Sequence, residues 1–167
     1  MNEIQGGMRM KPAIAVEAKG EIEFLPEIKE LLLNETNITF QKDNMFIYLN
    51  ADDADYAKEI LTAAELFEEL HQVILTNNGI LGPYFEDFGI QLLDDCYCLF
   101  KADLLYFSFT AGNPNDIQMA KYQVEEHLVF ETIHNETALF FLETHNKELI
   151  QNIAKAYKTV LSFTIDK

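Results

Sequence analysis

Ile38 and Phe40 alternate with Thr39 and Gln41, Lys42-Asp43-Asn44 breaks the run, and Met45 to Leu49 returns as an apolar stretch. Two such arms around a short polar break form the pattern of a β-hairpin. The next residues change the period. Asn50-Ala51-Asp52-Asp53 offers side-chain oxygens to the free N–H groups of a helix and sets carboxylates at the positive end of its dipole. A hairpin feeding directly into a capped helix excludes an all-α or an all-β chain.

The helix predicted from this cap runs from about Asp53 to Leu75. Ile60, Ala63, Phe67, Leu70 and Ile74 form a stripe at helical spacing, and Asn77-Asn78-Gly79 offers a stop. Upstream, Ala13 to Ala18 reads as a strand that Glu21 to Phe24 extends past Lys19-Gly20. Pro26 opens a short helix to about Asn34. Downstream, Ile90 to Leu93, Cys96 to Phe100 and Leu104 to Phe109 read as strands. Ala111 to Asn115 is a loop that caps a helix from Asp116 to about Val124. Strand Glu126 to Ile133, the turn at His134 to Thr137 and strand Ala138 to Leu142 form a second hairpin. A final helix follows, with Ile150, Ile153, Tyr157 and Val160 as its stripe.

The expected architecture is α+β: a mostly antiparallel sheet packed by two long helices. Residues 1–12 read as a flexible N-terminal tail and 13–167 as a single α+β domain. The two ends follow the same element order, and Met45 to Leu49 matches Ala138 to Leu142 as a strand entering a capped helix. A duplicated strand-helix-strand-strand-helix unit, over 13–76 and 104–163, therefore stands as an open alternative. That order resembles the paired modules of GyrI-like small-molecule-binding domains and of the TATA-binding-protein-like fold. The resemblance covers element order alone. Gly82-Pro83-Tyr84 is similar to a GyrI-like tripeptide but follows the expected long helix, and no functional residue is carried over.

Thirteen Phe and seven Tyr among 167 residues supply a core, against intrinsic disorder. No segment approaches the ~20 apolar residues that span a bilayer. The first eleven residues lack the apolar stretch of a signal peptide. Two cysteines one residue apart, Cys96 and Cys98, read as reduced, core-packing thiols, so a cytoplasmic location is expected.

Charge narrows the partners. The formal net charge is −16, and Arg9 is the only arginine. Such a chain is repelled by nucleic acid and by anionic membranes, and a basic protein is the natural partner. The acidity is concentrated: from Glu59 to Phe100, 42 residues, no Lys or Arg occurs. That window holds Glu59, Glu65, Glu68, Glu69, Glu86, Asp87, Asp94 and Asp95, the residues assigned to protein binding.

Signatures of catalysis are absent: no phosphate-binding glycine loop, no His-Glu-x-x-His, no nucleophile elbow and no paired zinc cysteines. Asp52-Asp53-x-Asp55 lacks the Gly and terminal Glu of a calcium loop and reads as helix capping. His134 and His145 flank a strand about 33 Å long, too far apart to share a metal. His127, beside Glu125 and Glu126, and His71, on a helix flank, are ordinary polar positions in this reading. No catalytic, metal or cofactor residue is assigned. The expectation is a non-catalytic acidic binding protein, of inhibitor or immunity type. Two alternatives remain: a small-molecule-binding or sensory domain with an aromatic-lined pocket, and an enzyme whose carboxylates and histidines converge only on folding.

Overall fold

The hairpin and its capped helix form as their residues dictate. In the computed structural model, which describes residues 10–163, Phe40–Lys42 (β2) pairs antiparallel with Met45–Tyr48 (β3). Asn50 then caps helix α2, Ala51–Ala63, its side chain accepting from the N–H groups of Asp52 and Asp53 at 2.7 and 3.3 Å. Upstream lie strand β1, Lys11–Ala18, a 3-10 turn over Gly20–Phe24 and helix α1, Pro26–Glu35. The turn corrects the extended reading of Glu21 to Phe24, and Lys11 and Pro12 of the expected tail belong to β1. Residues 1–9 of that tail lie outside the described residues, as do residues 164–167 with Asp166 and Lys167.

The long helix to Leu75 is overturned. Helix α2 stops at Ala63, and Phe67–Thr76 is strand β4. The Glu65 N–H donates to Thr62 O at 3.0 Å and the Leu66 N–H to Leu61 O at 2.8 Å, while Glu65 takes the left-handed conformation at φ 60°. These are the two bonds of a Schellman stop, and its usual apolar contact is present, since Leu61 and Leu66 share one buried cluster. The stop was hidden because Glu fills the place where Gly is expected. The buried side of α2 is Ala54, Ala57 and Leu61, and Ala63 of the expected stripe is exposed.

The final helix is corrected in the same way. Helix α5 is Lys147–Ala156, and Val160–Ser162 is a strand. Lys158 sits at φ 54°, with its N–H donating to Lys155 O and the Thr159 N–H donating to Ala154 O. An L-residue in this conformation is strained where glycine is not. Glu65→Gly and Lys158→Gly are therefore each expected to raise stability by about 1 kcal/mol. Urea unfolding checks this, and a loss of stability in both variants would contradict it.

The remaining elements are β5, Gly79–Leu81; a four-residue helix α3, Phe85–Phe88; β6, Gly89–Leu93; β7, Cys96–Phe100; β8, Leu104–Ala111; α4, Pro114–Glu125; β9, Phe130–His134; β10, Thr137–Glu143; and β11, Val160–Ser162. Five α-helices among the described residues, the longest of 13, replace the expected two long ones. Expected strands 90–93, 96–100, 104–109 and 138–142 are all present, and β9 is shorter than expected because Glu126 to Val129 form its approach.

The chain divides into two compact units. Among the described residues the first comprises 10–76 and Leu92–Ala102, the second Asn77–Gln91 and 103–163. The six-stranded sheet has order β2-β3-β1-β4-β7-β6. In the first unit, Val16, Ala18, Phe46 and Tyr48 pack with Leu32 of α1 and with the buried side of α2. On the opposite face Ala13, Ala15, Ile47, Val73, Leu75 and Cys98 are also buried. That double burial explains why Val73-Ile74-Leu75-Thr76 reads as a continuous apolar run: it is a central strand with β1 and β7 on either side.

The second unit carries a five-stranded sheet of order β11-β8-β10-β9-β5. Phe107, Phe140 and Leu142 pack with Val124, Leu128 and Ile150. Phe107 and Phe140 face each other across β8 and β10, their rings stacked at 5.4 Å. Without the added strands β5, β6 and β7, each unit runs βαββαβ. Counting its own strands, each has order 2-3-1-4 with antiparallel neighbours. This is the ferredoxin-like arrangement.

Candidate functional site

All eight assigned carboxylates are exposed, but they do not form one continuous surface. Glu59 lies on α2, Glu65 at its stop, and Glu68 and Glu69 at the start of β4. Asp94 and Asp95 form the β6–β7 turn, beyond the other end of β4, because Thr76 is paired with Tyr97. Seven strand steps, about 23 Å, separate Glu69 from Thr76. Glu86 and Asp87 lie on α3 of the second unit.

The α2–β4 corner is therefore the densest part of the assigned set. Two shallow depressions mark it, one lined by Asp55, Lys58, Glu59, Thr62 and Ala63, the other by Lys19, Thr62, Glu65 and Phe67. Among the described residues no Lys or Arg pairs with Glu59, Glu65, Glu68 or Glu69. Lys58 instead lies over the Phe67 ring, 5.2 Å from its centroid.

Beside this corner Glu17 and Glu69 are directly opposite across β1 and β4. Like charges so placed repel. His71 stands between them, its Nε2 3.3 Å from Glu17 Oε1 and 3.9 Å from Glu69 Oε2, with its ring 5.0 Å from Phe100. His71 is thus a strand residue with two carboxylate neighbours, correcting its placement on a helix flank.

A second constellation lies wholly in the second unit, and the sequence pattern did not reveal it. Tyr84, His127, Val129, Glu143, His145 and Asn146 line a cleft of about 100 Å³. Three connections bring them together. His127 ends the turn after α4. Glu143 ends β10, and His145 and Asn146 lie in the 3-10 turn that enters α5. Tyr84 follows β5, and its N–H donates to Leu128 O at 3.2 Å while the Gly82 N–H donates to Val129 O at 3.0 Å. Gly82 is required for this approach, since a Cβ there would stand 2.0 Å from Leu128 O.

Glu143 Oε1 lies 2.9 Å from His145 Nδ1. At that distance the carboxylate and the imidazole form a close pair on the wall of the cleft. Thr137 of β10 pairs with His134, so His134 lies at the hairpin turn, at the other end of β10 from His145. The corresponding corner of the first unit is closed. There Thr36 donates to Leu32 O and hydrogen-bonds the buried Tyr48 hydroxyl at 2.8 Å, and the Asn37 N–H donates to Asp53 Oδ1 at 3.3 Å. Asn50 and Asp53 thus serve capping and corner closure.

Cys96 and Cys98 are both buried on β7. Burial, then the neighbouring Asp95, pushes the Cys96 thiol up; burial, then Cys96, pushes Cys98 up to about 12. Thiols held protonated are poor nucleophiles and poor metal ligands. Among the described residues no three His, Cys, Asp or Glu side chains stand close enough to share a metal ion, and no helix is long and apolar enough to cross a membrane. No protein-family model, curated protein or solved structure matches the chain.

Proposed function

We propose that the chain is an acidic binding protein of inhibitor or immunity type that engages a basic protein. The observation that supports this reading most is the α2–β4 corner, where four exposed carboxylates have no Lys or Arg partner among the described residues. Unpaired surface charge of one sign speeds encounter with a partner of the other sign and disfavours wrong partners. Glu65 adds to the argument, because it keeps a carboxylate at a backbone position that favours glycine.

The test is capture of partners from native extract at graded salt, followed by kinetics with the partner obtained. Replacing Glu59, Glu65, Glu68 and Glu69 together with Gln is expected to slow association about tenfold at low salt, with a smaller effect at high salt. Complexes that ignore both salt and the fourfold replacement would sink the reading. The cleft of the second unit favours a second reading, a ligand-binding domain, because two imidazoles, a carboxylate and a phenol meet there. A melting-temperature screen against small ligands tests it; no shift with any of them would count against it.

A further inference from the structure

We infer that the cleft lined by Tyr84, His127, Val129, Glu143, His145 and Asn146 receives the guanidinium group of an arginine side chain. The inference rests on the reading that the partner is basic and specifies what one of its side chains does.

The chemistry of the lining selects a donor-rich cation. Glu143 presents carboxylate oxygens that only accept, and Asn146, which makes no capping bond with its side chain, adds an amide oxygen. No Lys or Arg lines the cleft, and the chain as a whole carries −16. A phenol and two imidazole rings wall the space, and aromatic walls suit a flat, weakly hydrated guanidinium better than a compact ammonium. About 100 Å³ is room for a planar guanidinium head, well above what a single water needs. The cleft is not a by-product of the βαββαβ arrangement, because Thr36, Tyr48, Asn37 and Asp53 fill the same corner of the first unit.

The test uses the full chain and Nα-acetyl-arginine amide, with the citrulline counterpart as an uncharged analogue of the same shape. Saturable NMR shifts at Tyr84, His127 and His145 are expected with the arginine compound, with a Kd on the order of 1 mM. The citrulline compound is expected to bind at least ~10-fold more weakly, through loss of the charge-assisted hydrogen bonds. Glu143→Gln should weaken arginine binding by a similar factor; its spectrum elsewhere reports whether it folds as the native chain does. Equal binding of both compounds, no binding, or unsaturable shifts spread over exposed carboxylates would each overturn the inference. Since the titration needs no partner protein, a failure here with salt-sensitive complexes intact removes the cleft assignment alone.

Discussion

Raising the pH from 9 toward 12 is expected to cost the native state about 4 kcal/mol through Cys98 alone. In the unfolded chain a thiol loses its proton near the ordinary value of 9.0, whereas burial, with Cys96 adding, pushes the Cys98 thiol up to about 12. Between these values the folded protein binds a proton that the unfolded chain has released. The contribution is therefore fully present below 9.0 and is lost progressively as pH rises through the window. The slope is about 1.4 kcal/mol per pH unit for one proton. Cys96 and Tyr48 are pushed up mainly by burial and act in the same direction, so the native curve alone does not isolate Cys98. Cys98→Ala does: its stability curve should fall less steeply between pH 9 and 12, by one proton's slope. Parallel curves for native and variant protein across that window would rule the assignment out. Cys98 should also react with an aromatic disulfide reagent at neutral pH only as fast as the chain unfolds.

Removing the Lys121 side chain is expected to destabilise the protein by about 3 kcal/mol. Glu131 lies on β9 with its side chain only 8% exposed, and Lys121 of α4 reaches it at 3.1 Å. The ammonium also lies 5.8 Å from the Phe140 ring centroid. In Lys121→Ala the carboxylate stays inside without its ion partner, and breaking a buried pair costs more than the pair contributes. The estimate sits at the low end because Lys121 is itself 28% exposed and partly solvated. Adding Glu131→Gln to that variant should restore at least about half of the loss, since the orphaned charge is its main source. Thermal or urea unfolding of the two variants decides the matter. A single variant within about 0.5 kcal/mol of the native chain would show that water reaches Glu131.

Short-range patterns carried much of the fold. The hairpin at Phe40–Tyr48 and the Asn50 cap were legible because each depends on residues within a few positions, and the loop from Ala111 did cap a helix, though from Asn113 and two residues earlier than expected. Strands β6, β7, β8 and β10 were legible from apolar and aromatic runs bounded by turn residues. The strands at 67–76 and 160–162 were not, although both follow a helix stop of the same kind. Glu65 and Lys158 occupy left-handed positions without the glycine that signals them. The residues beyond them, Phe67, Leu70 and Ile74, fall at spacings that a helix would also allow. Pairing of β4 with β1 and β7 settles the choice, and those partners are dozens of residues away.

The candidate sites divide along the same line. Eight acids without a cation among them were evident in the chain, and so was their expected exposure. Their separation to opposite ends of β4 was not, since it follows from the register of β4 on β7. His127, read within a strand, and His145, read at a strand end, gave no sign of meeting Glu143, because the strand hairpin that joins their ends, and the Gly82–Tyr84 segment held against Leu128 and Val129, act only in three dimensions.

By itself, then, the sequence determined an acidic α+β chain with one hairpin-to-helix junction near each end and a long stretch free of positive charge. Those properties are local or additive, so composition and spacing suffice for them. Only the tertiary structure decided that each half closes as a ferredoxin-like sheet, that both longer helices end early, and that one corner is filled while its counterpart opens into a cleft. Each of these depends on strand register and on backbone contacts between residues far apart in the chain, which no local pattern encodes.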